Sequence, residues 1–137
     1  MHRTAALLIA LVAVIHLVGQ HLWLGESPVW FNSIFLIWFH GLDRAIDQWI
    51  IGLAIALVVF ILAWMVGAKQ SRLAALLFLV IAGWDAFGRY RQVNFTLAND
   101  DLALGTPMIA GAVAAGFALL VALFAVIATF RRRAQFF

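Results

Sequence analysis

Cysteine is absent from the 137 residues, charged side chains make up only 11%, and proline occurs just twice. Without cysteine there is no disulfide, zinc ribbon, iron–sulfur cluster or thiol nucleophile, and redox chemistry gives no clue to compartment. A water-soluble fold carries about 25% charged and 45–50% apolar residues. Here 66% are hydrophobic, so the surplus must face something other than water, and lipid is the candidate. Phosphate loops, HExxH, a nucleophile elbow and a dinucleotide fingerprint are also missing. With no catalytic motif, the expectation is a protein that is not an enzyme.

What is present is long uncharged runs. A spanning helix needs roughly 20 mostly apolar residues at 1.5 Å each to cross about 30 Å of hydrocarbon. Thr4 to Gly25, Gln48 to Ala68 and Leu102 to Phe130 contain no Asp, Glu, Lys or Arg. A further run is shorter: only 12 residues separate Arg72 from Asp85, about 18 Å of helix, so that span must carry Asp85 into the bilayer. The sequence therefore predicts an all-α membrane protein with spans at about 4–24, 48–68, 72–92 and 107–130. The first run lacks a small-x-small cleavage site after its apolar stretch and is expected to persist as a helix. Thr106 and Pro107 suit the cap and first position of the last span.

Ser27-Pro28 opens a shorter aromatic stretch ending at His40-Gly41. It is too short to cross and reads as an interfacial helix over about 28–40 on the extracytoplasmic side. Trp30, Phe31, Phe35 and Trp38 suit that boundary and are candidates for docking a partner. An alternative in which residues 27–51 cross the membrane would need the charges of its polar cluster buried in protein. No internal repeat or long linker divides the chain, so residues 1–137 read as one integral membrane domain.

The basic residues set the orientation. Arg3, Lys69, Arg72 and Arg131 to Arg133 fall on one side of a four-span chain, while Arg44, Arg89 and Arg91 fall on the other. Six against three favours both termini in the cytoplasm, and a bacterial inner membrane is the expected location. Because the bases are sorted by side instead of forming a basic face, nucleic acid is not an expected partner.

Four groups of residues are candidates for function. His16 and Asp85 each lie 12 residues beyond the start of their spans, about 18 Å deep, so they can meet. Asp85 also has Arg89 one turn on, a pair that would pin the end of the third span while Arg91 snorkels outward. His16 shares a face with Gly19, Gln20 and Trp23, a polar stripe suited to interhelical hydrogen bonds or to a ligand. His21, His40, Asp43 and Asp47 form a weak metal-ligand set, against which stands the simpler reading that Asp43 caps the second span and Asp47 occupies its first turn. Gly111 and Ala115 head a run of small residues at intervals of four that lets helices approach closely, within the chain or against a partner.

Three readings of function follow. The leading one is a small non-catalytic accessory or assembly subunit of a larger membrane complex, docking through its aromatic rim and small-residue faces. The second is a small dimeric transporter or proton or ion conduit using Asp85 and His16. The third is a redox protein associated with quinone, haem or metal, although no cofactor is firmly implied. Partners are membrane lipid and either other membrane subunits or a second copy.

Overall fold

A computed structural model describes residues 1–22, 45–98 and 105–131. Four helices account for nearly all of them: α1 (His2–Leu22), α2 (Ala45–Lys69), α3 (Arg72–Ala98) and α4 (Thr106–Arg131). At 21, 25, 27 and 26 residues they extend about 30–40 Å. All four are long and apolar enough to cross a membrane. The expected interfacial helix over 28–40, with Trp30, Phe31, Phe35 and Trp38, lies outside the described residues.

Two boundaries differ from expectation. α3 runs to Ala98, six residues past the expected end at 92, passing through Gly83 and Gly88 without a break. Asp85 thus stands at its midpoint, not in its outer half. At the start of α4 the Ile109 N–H donates to the Gly105 carbonyl at 3.1 Å, which makes Gly105 the cap and places Thr106 in the first turn beside Pro107. Proline is tolerated there because the N–H groups of the first turn have no helical partner.

The connection between α2 and α3 is a tight turn of two residues, Gln70 and Ser71. Gln70 ends α2 with φ 51°, a left-handed conformation in which an L side chain crowds the following carbonyl. The Ser71 N–H then reaches back to the Met65 carbonyl at 3.3 Å. The Ser71 Oγ accepts the Ala74 N–H at 3.1 Å, capping α3 while fully buried. Glycine adopts the Gln70 conformation at no steric cost, so Gln70→Gly is expected to raise stability by about 1 kcal/mol. A later unfolding midpoint in mild detergent checks it, and an unchanged or earlier midpoint contradicts it.

α1 packs chiefly on α2 and α3 on α4, with α1–α4 and α2–α3 closing the ring. α1 and α3 therefore face each other across the diagonal. Among the described residues, thirteen of the twenty buried apolar ones are alanine, and such small side chains bring helix axes close and replace hydrophobic drive by van der Waals contact. α1 and α2 approach closely near the basic end: a Cβ built on Gly67 would sit 2.9 Å from the Ala6 Cβ. Gly67→Ala should push the two helices apart and cost about 1–3 kcal/mol, measured by the same unfolding midpoint; a wild-type midpoint would mean that α1 yields freely.

Gly111 and Ala115 are buried against the chain's own helices. These two small residues of α4 thus contribute to close packing within the bundle. Large apolar side chains point outward instead, with Leu7, Val80, Val113 and Leu120 among the most exposed. An outward apolar shell around a small-residue core is the inverse of a soluble bundle and suits a lipid surround.

Candidate functional site

Towards the basic end, the bundle axis is filled by apolar groups. Ile9 and Val12 of α1, Val59 and Val66 of α2 and Phe78 of α3 are all buried to within 1%. Above them, about 20 Å along α1 and α3, the interior turns ionic. His16, Asp85 and Arg89 are 3%, 1% and 2% exposed.

His16 comes first because its geometry constrains the others. Its Nδ1 lies 2.8 Å from the Val12 carbonyl oxygen. A carbonyl only accepts, so Nδ1 carries hydrogen and donates. In the neutral ring Nε2 then holds a lone pair. That nitrogen faces Asp85 Oδ2 at 3.6 Å across the diagonal. On the other side of the carboxylate, Arg89 Nε is 3.7 Å from Oδ1, a pair set by the one-turn spacing along α3.

Two acceptors face each other unless a proton lies between them. With neutral His16, the Asp85 carboxylate and the Arg89 guanidinium balance and the cluster is uncharged. One added proton, on Nε2 or on Oδ2, gives the cluster a net charge of +1 and lets one group donate to the other. From Gln48 to Ala68 on α2 and from Pro107 to Phe130 on α4 the sequence has no ionisable side chain. Each charge at such depth costs about 2.5–3.5 kcal/mol on insertion scales, and placing three ionisable groups together is how that cost is offset.

The sequence foresaw that His16 and Asp85 could meet, and their side chains do. It placed Arg89 at the end of its span. Arg89 is instead inside the bundle, because α3 continues nine residues beyond it, and Arg91 alone of the two is exposed, its guanidinium 5.9 Å from the Phe87 ring. Gln20 and His21 belong to the last turn of α1, but their side chains lie outside the described residues, as do His40 and Asp43. Asp47 is the third residue of α2, in the first turn as expected. Among the described residues no three His, Asp or Glu side chains gather as a metal site. His16 could ligate haem or metal only by giving up Asp85 or Val12, since each ring nitrogen already faces one of them.

Two features escaped sequence reasoning. The Val12 carbonyl as the partner of Nδ1 is one turn back along any helical histidine, a signal too general to single out. Phe78, seven residues before Asp85 on the same face, was legible from the 3.6-residue period but looked like ordinary core. Asn94-Phe95-Thr96 matches a glycosylation acceptor pattern, yet it lies within α3 with Thr96 buried and its hydroxyl 3.4 Å from the Met108 sulfur. Compared with known proteins, the chain matches no family model, no curated protein and no solved structure.

Proposed function

We propose that this chain is a small membrane transporter or proton conduit in which the His16–Asp85 pair takes up and releases one proton. The observation that supports this reading is the commitment of His16 Nδ1 to the Val12 carbonyl, which leaves Nε2 facing the carboxylate at 3.6 Å. A proton arriving at Nε2 forms an N–H bond directed at Oδ2; release reverses the step. Arg89 Nε lies 3.7 Å from Oδ1 and supplies a counter-charge to the Asp85 carboxylate.

The sorting of basic residues supports a bacterial inner membrane with both termini cytoplasmic. In that orientation the apolar plug around Phe78 separates the cluster from the cytoplasm, and transfer to that side requires the plug to open. Four helices enclose little space, which favours a dimer as the working unit. The accessory-subunit reading is the second, supported by the alanine-rich core among the described residues, which packs the helices closely.

The deciding experiment is reconstitution of the full chain into vesicles holding a pH-sensitive dye, followed by an external pH step. Faster equilibration than in protein-free vesicles is expected. Equal rates would overturn the conduit reading, and a stoichiometric membrane partner recovered by gentle extraction and intact-mass measurement would then establish the accessory subunit.

A further inference from the structure

The outer surface carries a groove that the ionic cluster does not use. It runs along the α1–α2 seam at the basic end and has a volume of about 570 Å³, within the roughly 300–1,000 Å³ of small-ligand sites. Its depth comes from Ala6, Ala10 and Gly67, whose short side chains let the helices meet closely. Phe60 and Trp64 supply aromatic walls, and Arg3 stands at the mouth. Lys69 holds its Nζ 5.2 Å from the Trp64 ring centroid, so a second exposed cation flanks the same opening.

We infer that this groove binds one anionic phospholipid, an acyl chain lying along the alanine floor and the phosphate between Arg3 and Lys69. Two charges of one sign over an apolar slot match an amphiphile with a negative head. The positive end of the α1 helix dipole lies at the same end and favours an anion there. Trp64, an amphipathic ring beside the Lys69 ammonium, suits a boundary between acyl chain and headgroup. A second copy of the chain fits less well, because a parallel two-fold contact along this seam would bring Arg3 and Lys69 of both copies together.

The test uses the full chain, delipidated in a neutral detergent and titrated with phosphatidylglycerol or phosphatidylcholine of identical acyl chains. Intact-mass measurement of the complexes is the readout. One phosphatidylglycerol should be retained about 30-fold more tightly than phosphatidylcholine, the effect of two basic residues near the headgroup. Arg3→Gln with Lys69→Gln should abolish the preference; both positions are exposed, so the fold is spared. Ala10→Leu should weaken both lipids by filling the floor. Equal retention of the two lipids, or a preference that survives the paired substitution, overturns the inference. So does displacement of the lipid by millimolar inorganic phosphate, which would mark a plain anion site, or conversion of a dimer to a monomer by Ala10→Leu, which would mark a contact between copies.

Discussion

Asp85→Asn should cost the bundle about 3–5 kcal/mol, because it keeps the side-chain shape but leaves the Arg89 guanidinium buried without its carboxylate. If the pair conducts as proposed, it should also remove proton transfer, since an amide cannot take up a proton passed from His16 Nε2 to Asp85 Oδ2, 3.6 Å apart. Loss of stability and loss of flux are separable. Replacing a buried ion pair by apolar groups of similar volume is often neutral, so Asp85→Leu combined with Arg89→Met should recover most of the stability while flux stays absent. Denaturant midpoints in detergent and dye-loaded vesicles read the two effects side by side. A single variant that conducts protons with unchanged pH dependence would remove Asp85 from the mechanism; one that is as stable as wild type would mean that Arg89 readily finds another partner.

The same cluster marks the boundary of what was legible in the sequence. Three of the four long apolar helices were, because uncharged runs of about 20 residues have few other uses, and α3 followed once Asp85 was allowed inside the span. The meeting of His16 and Asp85 was legible too, since equal depth follows from counting residues along two helices at a fixed rise. Arg89 was misplaced for a physical reason: the charged and polar residues after Asp85 read as the approach to water, whereas the helix carries them onward and turns Arg89 inward while Tyr90 and Arg91 face out. Hydropathy reports the average environment of a segment, and a single inward arginine contradicts the average. The small residues of α4 were recognised as packing residues, but which neighbour they serve depends on the handedness and order of four helices. That order rests on the ring of contacts α1–α2, α2–α3, α3–α4 and α4–α1, which no local pattern encodes.

Phe78 is the residue whose replacement best separates a conduit from a sealed bundle. It is fully buried, two turns from Asp85 on the same face and on the side of the basic end. Phe78→Ala should destabilise the chain by about 3–5 kcal/mol through the cavity it leaves. That cavity would be lined by apolar groups such as Ile9 and Val12 and should stay dry, so proton flux in vesicles should change little. Phe78→Asn differs in one respect: its amide gives water a partner within the same space. Water held there would connect the ionic cluster to the basic end, and flux should rise about tenfold, the effect of lowering a barrier by roughly 1.4 kcal/mol. Adding Asp85→Asn to Phe78→Asn should abolish the gain, because the proton still has to pass through the carboxylate. If Phe78→Asn leaves the flux at the wild-type level while the protein remains folded, the plug around Phe78 is not the barrier between the two sides. If the gain persists without Asp85, water is crossing by a route that bypasses His16 and Asp85, and the cluster serves only to hold α1 against α3.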